Sequence, residues 1–482
     1  MVLLIAHAGV SYAQEKLPQL RAEGAAERLG REFISSDKAD ALSIAIVQAG
    51  DVTFFNFGST VYGGGAKPKK SSVYEIGSVT KLFTSLLLAH AVLEGKIGMQ
   101  DDIRRYLPGQ YPNLAWNGTP VRVIDLADTT SALPDNLPDY QEVMAQASEQ
   151  GKAFALAKAL NEYSQQDMLR DLHSSALLGK PGVESRHSNL AAELLGYILT
   201  RTYRVPFKTL LQENVQAPLR MSNGVSADDP KAMVQGYDVH HTAMPATNQP
   251  SVLAAGGLRY STQDMAKFLQ AELTANDPAI RLTQQPAFGR PETGAIGFNW
   301  QISRNVEGLL KLNTSGGTSG GASYVEFYPE RGYGIVMLAN RSGETEDRLY
   351  GLADVLFAAV EGTPGLDALK TDLVKTNYGD VEGSAQRVRK LFPRLSLSEA
   401  YVNNWGGGLL GTDPKAALAL FKYNVQHWPL SSDAFDSLGE GYAQMGNEPE
   451  AVKAYRKSLE LNPANKEAAD SLASLLSKST AH

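Results

Sequence analysis

The stretch Ile76-Gly77-Ser78-Val79-Thr80-Lys81 runs directly into an apolar segment beginning at Leu82, and its reading decides the fold. A serine at a helix start meets unsatisfied backbone N–H groups and the positive end of the helix dipole. Lys81 stands three residues on, so it shares the serine's helical face one turn further along. Burial and the helix N-terminus both disfavour its ammonium form, leaving an amine able to take the serine proton. By themselves these residues carry little, because an N-capping serine with an unrelated lysine spells the same pattern. Ser35-Ser36-Asp37-Lys38 spells it too, but no comparable apolar helix follows. Context promotes Ser78.

Upstream, Ser43–Gln48 and Val52–Phe57 are β-rich runs joined by Ala49-Gly50-Asp51, a hairpin pattern. Far downstream, a second strand group falls near Trp300–Ser303, Leu309–Asn313, Tyr324–Tyr328 and Gly334–Leu338, with Pro329-Glu330-Arg331-Gly332 as the last turn. Helical patterns fill the middle, at Leu82–Leu93, Asn189–Thr200 and Thr262–Glu272. Strands from both ends of the chain around a helical middle predict an α+β fold. Its sheet is predominantly antiparallel and flanked by helices, with an inserted all-α region.

Further segments, in order, make the context recognisable. Leu126-Ala127-Asp128-Thr129-Thr130-Ser131-Ala132-Leu133-Pro134 is followed by Pro181-Gly182, His187-Ser188-Asn189 and Leu194-Leu195-Gly196. Then come Ala255-Gly256-Gly257-Leu258 with Ser261-Thr262 and Asp264-Met265, Gly297-Phe298-Asn299-Trp300, and Thr314-Ser315-Gly316-Gly317. From about Glu23 to Val360 the chain resembles the penicillin-recognising serine hydrolases: class C β-lactamases, D,D-peptidases and related esterases. Around Asn117-Gly118-Thr119-Pro120 it is most similar to periplasmic class C-like carboxypeptidase/endopeptidases. The resemblance implies a β-lactamase/transpeptidase-like fold, with Ser78 as acylated nucleophile and Lys81 as base. It implies that Asn189 hydrogen-bonds the substrate amide and that the N–H groups of Ser78 and Gly317 form the oxyanion hole. The strand segment Thr314, Ser315, Gly316 and Gly317 then lines the substrate.

The chain departs from the family pattern twice. His187 stands where the family carries a proton-shuttling tyrosine. An imidazole suits proton transfer near neutral pH, so His187 is expected to act with Ser78 and Lys81. Tyr111-Pro112-Asn113 and Tyr401-Val402-Asn403 also match Tyr-x-Asn, but neither lies in the right part of the chain. Thr314 stands where the family carries a lysine or histidine that attracts the substrate carboxylate. Losing that cation replaces a charged hydrogen bond with a neutral one and lowers affinity for a free C-terminal carboxylate. Arg341-Ser342-Gly343 fits a basic-Ser-Gly pattern but follows the next strand pair.

The two ends of the chain differ in kind. Val2 to Val10 is short and apolar, and Ser11-Tyr12-Ala13-Gln14 matches a secretory cleavage site after Ala13, although a basic leader region is missing. Export to the periplasm is the expectation. No later apolar run reaches the roughly 20 residues a membrane span requires. At the other end, Ala417, Phe421 and Pro429 recur as Ala451, Tyr455 and Pro463, one tetratricopeptide period of about 34 residues later. Phe435, Leu438, Gly439 and Tyr442 complete that spacing. Such repeats either bind peptides or buttress a neighbouring domain. The expected organisation is therefore a signal peptide over 1–13, a hydrolase domain over 14–362, a connector over 363–389 and helical repeats over 390–482.

Composition removes other chemistries. The 482 residues include no cysteine, so thiolate zinc sites, iron–sulfur clusters, disulfides and a cysteine nucleophile are excluded. A net charge of −7 argues against a phosphate-neutralising nucleic-acid surface. His240-His241 with Asp238 reads as a loop, because adjacent side chains rarely converge on one ion, and no metal or cofactor is expected. Gly63-Gly64-Gly65-Ala66-Lys67 lacks the spacing of a phosphate loop. The expected activity is acyl hydrolysis through Ser78 on peptide-like or ester substrates, a peptidase, amidase or esterase. The alternatives are a β-lactamase or D,D-carboxypeptidase and, from another class, a catalytically retired binding protein that recruits partners through its repeats.

Overall fold

The computed structural model describes residues 23–148, 151–222, 233–246 and 253–479; the expected signal peptide falls outside them. Two compact units divide the chain, one over residues 1–303 and 310–362 and the other over 304–309 and 363–482.

The first unit is built on an antiparallel sheet. Its strands are β1 (Ala41–Gln48), β2 (Asp51–Gly58) and, after two short pairs, a run from the far end of the sequence. The short strands are β3 (Val73–Glu75), β4 (Ala115–Trp116), β5 (Thr119–Pro120) and β6 (Arg259–Ser261). The later run comprises β7 (Phe288–Arg290), β8 (Gly294–Gly297), β9 (Trp300–Arg304), β10 (Leu310–Gly317), β11 (Ala322–Tyr328) and β12 (Tyr333–Ala339). The sheet order is β2-β1-β12-β11-β10-β9-β8-β7, so the first hairpin joins the late strands through β1 and β12, with Ile44 opposite Met337. This is the two-ended sheet that the strand pattern predicts.

Strands β11 and β12 are buried along their whole length, and their apolar runs follow from cover on both faces. Neighbouring side chains of a strand point to opposite faces. Tyr333 meets Phe357 of the helix Thr345–Glu361, while the next residue, Gly334, abuts Leu269 of the helix Thr262–Thr274. Helices therefore layer both sides of the sheet.

The helical middle includes Thr80–Leu93, Lys152–Glu162, Gln165–Leu172 and Asn189–Tyr203. Helix Thr80–Leu93 is buried almost all round, with Phe83 stacked on Tyr260 and Phe268. A helix apolar on every side must be central to a core, and this one anchors the Ser78 turn. Among the described residues no helix is long and apolar enough to cross a membrane.

Strand β10 runs four residues beyond the expected end at Asn313. Its Thr314-Ser315-Gly316-Gly317 tail pairs with β11, Gly316 opposite Ser323 and Gly317 opposite Ala322. Two glycines weaken intrinsic strand preference, but ladder pairing overrides it.

The second unit is helical. Where a connector is expected over 363–389, the chain forms the helices Pro364–Lys375 and Val381–Leu391. Leu369, Leu373, Val381, Ala385 and Val388 repeat at helical spacing, and they form one core with Leu395, Val402 and Leu420. The helices Glu399–Leu409, Pro414–His427, Ser432–Gln444, Glu448–Leu461 and Lys466–Ser479 follow. Gly406 faces the ring of Phe421, and Gly439 faces the ring of Tyr455. In both places a small residue lets one helix close on an aromatic of the next.

Candidate active site

Ser78 lies in a single 3-10 turn, Gly77–Val79, that leads into the helix Thr80–Leu93. The turn is held from several directions. Ile76 N donates to Leu258 O at 3.1 Å, Leu258 N donates to Thr80 Oγ1 at 3.2 Å, and Ser323 Oγ donates to Ile76 O at 2.7 Å. Gly77 has φ +48°, and a Cβ there would lie 2.6 Å from Gly317 O. A Cβ on Gly316 would lie 2.3 Å from Ile76 O and 2.8 Å from Ser78 N. Only glycine allows the end of β10 to press against the backbone of the Ser78 turn.

Lys81 Nζ lies 2.8 Å from Ser78 Oγ, 2.7 Å from Asn189 Oδ1 and 3.1 Å from Ala255 O. The side chain is 5% exposed. Burial brings its pKa down to about 8, against the charges of Glu193, Asp135 and Glu346, which favour the ammonium. A neutral amine has two N–H donors, which Asn189 Oδ1 and Ala255 O can take, leaving its lone pair for the Ser78 hydroxyl. Ser78, Lys81 and Asn189 are thus brought together, although Asn189 comes from the start of the helix Asn189–Tyr203.

Asn189 is oriented by its surroundings. Its Nδ2 donates to Asn136 Oδ1 at 2.9 Å, and its backbone N–H to Asp135 Oδ1 at 3.2 Å. One turn along the same helix, Glu193 Oε1 accepts from Ala255 N at 2.7 Å. Burial pushes the Glu193 carboxyl well above the ordinary range, against that bond and the Lys81 charge.

His187 stands apart from this cluster. Its Nδ1 lies 2.7 Å from Asp135 Oδ1, and its side chain is 55% exposed. Burial alone would raise the Asp135 carboxyl, but the hydrogen bond and charge of His187 and the Asn189 N–H hold it below the ordinary range. A cavity of about 360 Å³ opens over Ser78, lined among others by Tyr140, Leu156, Leu160, Asn189 and Gly317. His187 is not in its wall. The phenol that lines it is Tyr140, held protonated by burial and by neighbouring Glu193 and Asp135. Tyr111 is buried, with its hydroxyl on Leu169 O at 3.3 Å, and Tyr401 belongs to the second unit.

On the β10 side, Thr314 is buried and outside the cavity wall. Ser315 Oγ donates to Glu346 Oε1, and Gly317 lines the cavity beside Glu346. Arg341 is committed elsewhere: it bonds Asp37 O at 2.7 Å and Asp40 Oδ1 at 2.8 Å. Asp37, Asp40 and His241 converge closely enough to hold a metal ion, but the Arg341 guanidinium sits among them and answers their charge. Asp238 caps a turn by accepting the N–H groups of His240 and Thr242.

Asp135, Asn136, Tyr140, Glu193 and Glu346 join the surroundings of Ser78 and Lys81 although no motif marks them. Asp135-Asn136 directly follow the Leu133-Pro134 segment, and Glu193 lies four residues after Asn189 on one helical face. Those signals are local and available. Glu346 has none, because only the fold carries it to β10.

A serine held at a turn with a buried amine at hydrogen-bond distance is the arrangement of an acyl-transfer site. The family model described as Beta-lactamase matches residues 26–359, and the chain belongs to that family. Among its relatives, the D-alanyl-D-alanine-carboxypeptidase/endopeptidase AmpH of Escherichia coli (strain K12) is 24% identical over 333 residues, 66% of this chain and 83% of the relative. A Beta-lactamase of Yersinia enterocolitica is 25% identical over 388 residues, covering 72% of this chain and 94% of the relative. The fold matches a crystal structure of Beta-lactamase/D-alanine Carboxypeptidase from Yersinia pestis complexed with citrate. The TM-score is 0.59 and the identity 22%, over 70% of this chain and 99% of the other.

Proposed function

We propose that the chain is a serine acyl hydrolase working through an acyl-enzyme on Ser78, with peptide-like or ester substrates. The observation that carries this reading is the 2.8 Å contact between Ser78 Oγ and the buried Lys81 amine. Lys81 takes the Ser78 proton as Oγ attacks the substrate carbonyl. The N–H groups of Ser78 and Gly317 face the developing oxyanion, a contribution typically worth about 3–4 kcal/mol. The Lys81 proton then passes to the departing group as its bond to the carbonyl carbon breaks, and water later splits the acyl ester.

In this reading Asn189 holds Lys81 and meets the substrate amide, while His187 acts at the rim through Asp135. Tyr140, whose phenol stays protonated in the cavity wall, assists the departing group. With Thr314 in place of a cation, peptidase, amidase or esterase chemistry is favoured over carboxypeptidase or β-lactamase activity. An intact Ser78–Lys81–Asn189 cluster argues against a retired, purely binding protein. The 33- to 34-residue recurrence of Gly406 and Phe421 in Gly439 and Tyr455 supports tetratricopeptide-like repeats that bind a peptide or buttress the hydrolase unit. The apolar segment before Ala13 supports export to the periplasm.

The test is intact-mass analysis after exposure to a fluorophosphonate or a β-lactam. A single adduct on Ser78, absent in Ser78→Ala, is expected. Absence of any adduct with both reagents overturns the reading.

A further inference from the structure

The charge pattern along β10 points beyond the reaction type to the substrate. The strand carries Thr314 where related enzymes carry a cation for the substrate's terminal carboxylate, and a carboxylate has been brought to its end instead. Glu346, in the first turn of the helix Thr345–Glu361, accepts from Ser315 Oγ through Oε1. Its Oε2 reaches to within 2.8 Å of where a Gly317 Cβ would stand. Any side chain at 317 would displace this carboxylate, so the glycine, itself a residue of the cavity wall, lets Glu346 stand directly behind it.

The cation nearest in effect to Glu346 is the buried Lys81 amine, whose ammonium form it favours and which is already bonded to Ser78, Asn189 and Ala255. Among the described residues no lysine or arginine forms an ion pair with it, and Arg348, two residues on, is bonded to Glu344 at 2.7 Å. The cavity wall contains no lysine or arginine. A terminal carboxylate bound along β10 would therefore meet Glu346 with neither Thr314 nor the wall to neutralise it.

We propose that Glu346 selects acyl substrates whose departing group carries a positive charge, an ammonium or quaternary amine, and excludes those carrying a carboxylate there. This rests on the acyl-hydrolase reading, and deepens it by naming the substrate class. The carboxylate meets the cation of the departing group directly, while Ser315 fixes its orientation.

Three thioesters with one common acyl group test this: a thiocholine ester, its uncharged 3,3-dimethylbutyl analogue and a 3-mercaptopropionate ester. Ser78 Oγ bonds to the acyl carbon as the C–S bond breaks, and the serine proton leaves on the thiol through Lys81. The released thiol can be read directly, because the protein has no cysteine. The cationic ester should exceed the anionic one in kcat/KM by about tenfold or more, the scale of a charge-assisted contact. Glu346→Gln should bring the cationic-to-anionic ratio close to unity, and Glu346→Lys should invert it. An order that survives in Glu346→Gln, or an anionic preference in the natural protein, overturns the proposal. Failure of the underlying reading looks different: all three esters remain intact and fluorophosphonate leaves Ser78 unlabelled.

Discussion

Asn189 Oδ1 accepts a hydrogen bond from Lys81 Nζ at 2.7 Å, joining residues 108 apart in the sequence. That contact, with the one to Ala255 O, aims the third direction of the nitrogen at Ser78. An ammonium would use all three directions as donors. Only the neutral amine can accept the serine proton.

Activity should therefore follow the loss of a proton from Lys81. Burial lowers its pKa to about 8, so the neutral form is the minority below that value and the majority above it. With a neutral ester, kcat/KM should rise about tenfold per pH unit below about 8 and level off above it. Lys81→Arg should abolish this limb and cost about a hundredfold or more, the range for loss of a general base. A flat profile through this interval would show that another group accepts the proton.

The expected roles of His187 and Tyr140 separate by substitution. Because His187 is bound to Asp135 and does not line the cavity over Ser78, His187→Phe should cost less than about tenfold in kcat, below the usual contribution of an acid–base group. Tyr140→Phe keeps the ring in the cavity wall and removes only the hydroxyl, so it should cost more than His187→Phe, chiefly on poor leaving groups. If His187→Phe is the more damaging and His187→Tyr restores activity, the histidine is the proton carrier.

Gly316 has a steric role that can be measured. A methyl group there would meet Ile76 O and Ser78 N at distances that real Cβ contacts do not adopt, so β10 must move off the turn. Gly316→Ala should shift the Gly317 N–H relative to the Ser78 turn and cost about a hundred- to a thousandfold in kcat, the scale for one oxyanion donor. KM for a small neutral ester should change far less. Comparable losses in kcat and thermal stability would instead indicate general unfolding.

What could be read in the sequence follows the range of the interactions. Ser78 and Lys81 are three residues apart, and their relation is set by one helical turn. The late strands and first hairpin announce themselves by alternation and turn residues. His187 is in register with a family tyrosine, yet register does not determine partners: its Nδ1 lies 2.7 Å from Asp135 Oδ1, from another loop. Glu346 reaches β10 only because the helix Thr345–Glu361 packs on the sheet, a placement no local pattern encodes. The helices in 363–391 are the reverse case, since their apolar residues recur at regular helical spacing where a connector is expected.

Glu193 offers the last test, because its hydrogen bond and its charge can be separated. Its Oε1 holds the N–H of Ala255, whose carbonyl in turn holds Lys81. Glu193→Gln keeps an acceptor oxygen at that place, so the natural geometry and most activity should persist. Glu193→Ala leaves the Ala255 N–H without its acceptor and should cost about 1–3 kcal/mol of stability, along with activity. The pH dependence provides the sign. Burial raises the folded-state pKa of Glu193 above the ordinary value of 4.5, so the unfolded chain loses this proton first. The protonated carboxyl's contribution to stability is present below that value and is lost as pH rises towards the folded-state pKa. Glu193→Gln cannot ionise and escapes this loss, so its stability relative to the natural protein should increase with pH above about 4.5. Denaturant unfolding at a series of pH values measures the difference, and a difference independent of pH would place the ionised carboxylate in the folded protein at no extra cost.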